Sequence, residues 1–184
     1  MVKNILFVLL GLFFFLFLMG NIFIKQMAED PGFAEMKPPP KILDEPAPSP
    51  FEGLQAIRLS DGDTVMLNTG NSLAFVSFWA TWCRPCLSEM PTIEKLYQAQ
   101  KDKMAFFVIS TEDAESRIRV FMERKGYTFP AYRLVNTPVT DSLTHSLPLS
   151  FLSHNAGLHI YHRGAANWNS RVVHQLVEKL AEGT

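Results

Sequence analysis

The stretch "FWATWCRPCLSEMP", residues 78–91, holds both cysteines of the 184-residue chain, with two residues between them. Trp79 and Trp82 precede the pair, Pro85 stands inside it and Pro91 follows it. Just upstream, "SLAFVSFWA" at residues 72–80 is apolar and β-rich, which fits a strand buried on both faces. Downstream, "SEMPTIEKLYQAQK" reads as a helix to about Lys101, with Ile93, Leu96 and Tyr97 on one stripe and a kink expected at Pro91. The cysteines therefore sit where a buried strand gives way to a helix.

A Cys-x-x-Cys pair has three uses. Structural zinc needs four ligands, and there is no second pair. His159 and His162, placed on a strand, would point to opposite faces. A purely structural staple gains stability with the length of the loop it closes, and this loop is very short. Thiol–disulfide exchange fits the surroundings. The start of a helix offers unpaired N–H groups and a partial positive charge, which favour thiolate over thiol. Cys83, first in the pair, is expected to be the exposed nucleophile. Arg84 adds a positive charge beside it, and Pro85 suits the first helical turn. Cys86, one turn further in, is placed to resolve a mixed disulfide. No metal or organic cofactor is called for; the redox-active group is the Cys83–Cys86 disulfide itself.

Working outward, "LQAIRLSDGDTVML" reads as two short strands around an Asp-Gly turn at residues 60–63. Residues 103–111 read as a second buried strand. Residues 112–126 form an amphipathic helix with Ile118, Phe121 and Met122 inward and Gly126 as its stop. "YTFPAYRLV" reads as a short strand, and "TPVTDSLTHS" as one or two helical turns. Residues 149–153 and 158–164 form a hairpin about the turn at residues 154–157. The final helix is expected to bury Val172, Leu176 and Leu180, with Asn169 or Ser170 as cap. Strand–helix–strand units followed by a hairpin give an α/β fold: a central mixed sheet flanked by helices, with an N-terminal β-hairpin extension.

Before this domain, assigned to residues 52–184, lie two other segments. Residues 5–24 carry no charge and are long enough as a helix to cross a bilayer, which takes about 20 residues. With no Ala-x-Ala site after them, residues 1–25 read as an uncleaved transmembrane anchor. Lys3 and Lys25 nearly balance across it, so basic residues alone do not orient it. Residues 26–51 are proline-rich and read as an extended linker tethering the domain to the membrane. A net charge of −1 argues against a nucleic-acid partner.

The segment "SFWATWCRPCLSEMP" resembles the active site of the thioredoxin superfamily. It is most similar to the membrane-tethered, extracytoplasmic branch of TlpA-like and ResA-like reductases, which includes the CcmG (DsbE) type. The resemblance covers roughly residues 52–182 and implies a thioredoxin-like fold. It places a cis-proline loop at Leu147-Pro148, against Cys83, where a substrate strand can pair, with Ser146 and Leu149 at the rim. It puts Trp82 at an exposed lip for docking, beside Arg84 and Pro85. Thioredoxin's buried aspartate is replaced by Ser77. Glu89, three residues after Cys86 and on the same helix face, takes the place of a ResA-type glutamate that accepts the Cys86 proton. Trp79 is expected in the core, and Trp168 is expected to be structural.

The resemblance implies an enzyme, a thiol–disulfide oxidoreductase of the bacterial cytoplasmic membrane with its catalytic domain in the periplasm or outside the cell. Its partners would be disulfide-containing proteins such as apocytochrome c, and a membrane electron donor of DsbD or CcdA type. Electron flow toward the client is favoured. A dithiol oxidant or isomerase, and a non-catalytic binding or metal-delivery module, remain as alternatives.

Overall fold

The computed structural model describes residues 2–28, 34–35, 37–49, 51, 53–67, 72–135 and 145–182. The strand expected before the cysteines is β4, Ala74–Trp79, every residue of which is buried. Its neighbours explain why. β5, Ala105–Ser110, runs parallel on one side, and β7, Leu149–His154, runs antiparallel on the other. Beyond β5 come β6, Ala131–Leu134, and the hairpin of β2, Gln55–Arg58, and β3, Thr64–Met66. Beyond β7 come β8, Gly157–Arg163, and β1, Ile42–Pro48. The result is one eight-stranded mixed sheet in the order β1-β8-β7-β4-β5-β6-β2-β3.

β1 corrects the expected extent of the linker. Residues from Ile42 onward are not a free tether but the edge strand of the sheet, paired with β8. An edge strand pairs on one side only, so the missing N–H groups of Pro46 and Pro48 break no ladder that a central strand would need. The register slips between Ile42 and Ala47. Pro46 presses on the partner strand there: a Cβ at position 157 would come within 2.9 Å of the Pro46 side chain, so glycine is required.

α1 spans Val2–Ala28, α2 Arg84–Gln100, α3 Glu115–Lys125 and α4 Arg171–Glu182. α2 continues through Pro91 without interruption. α3 ends at Gly126, whose φ of 68° closes the helix in the left-handed conformation. The helices α2, α3 and α4 all feed a core on one face of the sheet, containing Phe75, Trp79, Met90, Ile93, Ile118, Phe121, Trp168 and Val177. The opposite face buries Phe51, Leu54, Val76, Phe78, Tyr132, Leu149 and Phe151, with Phe51 stacked on Phe151 at 4.3 Å. Most of the helical turns expected at residues 137–146 lie outside the described residues.

α4 differs from expectation by one position. Val173 and Val177 are its buried residues, while Val172 is 40% exposed and Leu176 and Leu180 are half-buried. Both stripes are apolar at i, i+4 spacing, and the docking angle of the helix decides between them. No side-chain cap from Ser170 is among the described hydrogen bonds; its carbonyl accepts from the N–H groups of Val173 and His174 instead.

The side chains of α1 are described at Phe7 and over residues 9–23, and its large apolar residues there are exposed. Among the described residues no helix is long and apolar enough to cross a membrane.

Candidate active site

At the end of β4 the chain leaves the sheet through Ala80, Thr81 and Trp82 and enters α2 at Arg84. Cys83 is the residue before the helix, with extended backbone, and its sulfur accepts the N–H of Cys86 at 3.2 Å. One otherwise unpaired N–H of the helix start is thereby directed at sulfur, the arrangement that stabilises negative charge there. Cys83 and Cys86 are joined as a disulfide, with their Cα atoms 5.3 Å apart. Cys83 keeps 4% of its surface exposed and Cys86 none. The first cysteine is thus less open than expected, because in the oxidised pair its sulfur is turned inward onto Cys86. Around this small opening Trp82 is 58% exposed, and Arg84 and Pro85 are also at the surface.

The Leu147–Pro148 peptide is cis. Leu149 pairs with Phe78, so Pro148 stands at the same end of the sheet from which the cysteine segment departs. Leu147 is half-buried and touches both core clusters, one of which contains the two cysteines. Ser146 is exposed, and its carbonyl accepts from Arg163 at 3.3 Å. Leu149, expected at the rim, is fully buried: it points into the core on the far face of the sheet.

Asp113 also shapes the site and was not singled out from sequence. It is buried and receives the Thr81 N–H at 2.7 Å, the Thr81 hydroxyl at 2.6 Å and the Ser110 hydroxyl at 2.8 Å. The turn that presents Trp82 and Cys83 is therefore tied to the end of β5. Asp113→Ala is expected to leave these donors without their acceptor and to cost ~2–3 kcal/mol of stability. Urea denaturation of the oxidised chain would measure it, and a change within error would show that the tie carries no weight.

Glu89 lies behind the disulfide, on the same face of α2 as Cys86, and is 1% exposed. Its Oε2 accepts two hydrogen bonds of 3.0 Å, from the Ala166 N–H and from the Trp168 indole N–H. Its Oε1 is buried without a hydrogen-bond partner among the described residues. Burial pushes the carboxyl up to about 8, against the opposing pull of the Ala166 and Trp168 donors, the Lys37 ammonium and the Ser150 hydroxyl. That hydroxyl makes its hydrogen bond to Ser77 instead, at 2.9 Å, so the position that Ser77 occupies is polar and satisfied but not acidic. Trp168, expected to be only structural, is a direct partner of the buried carboxyl. Its backbone N–H donates to the Thr92 hydroxyl at 3.2 Å, so the loop of residues 166–168 is fastened to α2 at both Glu89 and Thr92.

This sheet, with a Cys-x-x-Cys pair opening the helix after its central strand, matches known proteins in both sequence and shape. The family model described as Redoxin matches residues 46–134. The structure of StoA from Bacillus subtilis aligns with a TM-score of 0.53 at 20% identity, covering 73% of this chain and 98% of that one. The chain has a thioredoxin-like fold. The solution structure of a thiol:disulfide interchange protein from a Bacteroides species shares the same thioredoxin-like fold, with a TM-score of 0.60 at 23% identity over 77% of this chain and 93% of that chain. Curated relatives match over shorter stretches. Thioredoxin-like protein YneN of Bacillus subtilis is 43% identical over 58 residues, 30% of this chain and 34% of YneN. The thiol-disulfide oxidoreductase ResA of Oceanobacillus iheyensis is 36% identical over 88 residues, 46% of this chain and 41% of that protein. The matches thus span well under half of each of these two relatives.

Proposed function

We propose that this protein is a membrane-tethered, extracytoplasmic thiol–disulfide oxidoreductase of the thioredoxin superfamily that reduces disulfides in protein clients. The observation that carries the reading is the Cys83–Cys86 bond at the start of α2, opening beside exposed Trp82 with the buried Glu89 carboxyl behind it. In the reduced protein the Cys83 thiolate attacks a client disulfide. One client sulfur bonds to Cys83, and the other leaves as thiolate. Cys86 gives its proton to Glu89 and attacks Cys83. The second client sulfur departs, the client has gained two electrons, and the cysteine pair has lost two. The product is an oxidised pair beside a protonated Glu89. A carboxyl that stays protonated up to about pH 8 in the oxidised chain agrees with that end state.

Leu147 and Pro148 would pair with the client backbone, while Trp82, Arg84 and Pro85 would form the docking lip. The clients are disulfide-containing proteins, with apocytochrome c as the proposed example. Electrons would come from a DsbD or CcdA-type protein in the membrane. The tether would be the uncharged stretch of residues 5–24, in which Phe7, Leu10, Phe13 and Phe14 are exposed. Equilibrating the full chain with glutathione tests the direction. A reductant is expected to have a midpoint potential below about −180 mV, and a value above it would make the protein an oxidant or isomerase.

A further inference from the structure

The short segment between α1 and β1 is fastened to the two parts of the protein that hold Glu89. From this strap, described at residues 34–35 and 37–38, the Lys37 ammonium donates to the carbonyl of Ser88, the residue before Glu89 on α2, at 3.1 Å. Glu35 pairs with Lys95, two turns further along the same helix, at 2.7 Å. On the other side the strap meets the loop that binds the Glu89 carboxyl. The Asn167 N–H donates to the Pro38 carbonyl at 2.9 Å, its side-chain amide to the Glu35 carbonyl at 2.8 Å, and the Asn169 amide to the Glu35 carboxylate at 3.1 Å. Asn167 stands between Ala166 and Trp168, the two donors to Glu89. Ala34, at the start of the strap, is buried.

We propose that this strap is a positioning element for Glu89: it locks the donor loop onto α2 and supplies, in Lys37, the cation that faces the buried carboxyl. Among the described residues the other surroundings of Glu89 are uncharged or neutralised. Cys86 on its own helix is in the disulfide, Ser150 and Ser77 on the sheet are hydroxyls, and Trp168 and the Ala166 amide are neutral. His162 on β8 meets Trp168 edge-on at 6.2 Å, and burial keeps that imidazole toward its neutral form. Lys37 is therefore the charged group that acts on the carboxyl, alongside burial and the Ala166 and Trp168 donors. Its effect follows from Coulombic attraction, which favours the carboxylate and resists protonation. In sequence the strap lies between α1 and the domain, so the stretch that joins the proposed anchor to the domain also steadies the proposed proton acceptor.

The mechanistic consequence rests on Glu89 serving Cys86, but the positioning itself does not, and the experiment separates the two. Carboxyl carbon NMR on the oxidised full chain, labelled at glutamate, follows the Glu89 titration without any substrate; Glu89→Gln identifies the signal. Lys37→Gln is expected to move the Glu89 midpoint upward by roughly half a unit or more, and Lys37→Arg to leave it near the native value. Glu35→Ala, which releases the strap through an exposed residue, is expected to move it in the same upward direction. An unchanged midpoint in Lys37→Gln, or an equal shift in Lys37→Arg, would overturn the proposal. A shifted midpoint with an unaltered pH profile of client reduction would support the strap and remove Glu89 from the proton transfer.

Discussion

Replacing Cys83 with serine is expected to abolish reduction of a protein disulfide, lowering the rate by at least ~10³-fold, because the attacking sulfur is gone. Replacing Cys86 with serine is expected to give a different failure. The first exchange still occurs, but nothing resolves it, and Cys83 stays bonded to its client. Non-reducing electrophoresis of the two variants after exposure to an oxidised client would distinguish them: a mixed disulfide in Cys86→Ser, none in Cys83→Ser. The asymmetry follows from the site. Cys83 lies at the opening beside Trp82, whereas Cys86 is fully enclosed and can meet only Cys83. A Cys83→Ser protein that keeps its activity would instead make the chain a binding or delivery module.

Glu89→Gln is expected to have two separable effects. The first is on resolution of the mixed disulfide, slowed by ~10²-fold for want of a proton acceptor. The second is on the stability of the oxidised chain. The carboxyl sits near 4.5 when unfolded and is raised to about 8 in the fold, so the folded state retains a proton that the unfolded chain has released. The stability it contributes is fully present below about pH 4.5. It falls as pH rises, by at most ~1.4 kcal/mol per unit from this group, and levels off above about pH 8. Glutamine removes that slope. Urea midpoints measured from pH 5 to 9 should decline more steeply for the native chain than for Glu89→Gln, and parallel curves would contradict the burial argument.

These effects depend on features that were readable in sequence to different degrees. β4 and α2 announced themselves because each has a single period: a run of apolar residues for the strand, an apolar stripe for the helix. Glu89 could be singled out because its relation to Cys86 is local, three residues along one helix. Asp113, Lys37 and Asn167 could not, since each acts on a partner distant in the chain: Asp113 on Thr81, Lys37 on Ser88, Asn167 on Glu35. The short "STED" stretch at residues 110–113 offered the one local hint, a carboxylate just after a strand end among hydroxyls that it could accept from. β1 was hidden by composition. Proline content reads as linker, yet an edge position tolerates prolines, and only the pairing with β8 reveals it.

The most direct test of the proposed chemistry is competitive alkylation of the reduced full chain with limiting iodoacetamide at neutral pH, with the modified site assigned by mass spectrometry. Cys83, capping the start of α2 at the surface opening, is predicted to react at least ~10-fold faster than the enclosed Cys86. Equal labelling of the two sulfurs, or faster reaction at Cys86, would contradict it.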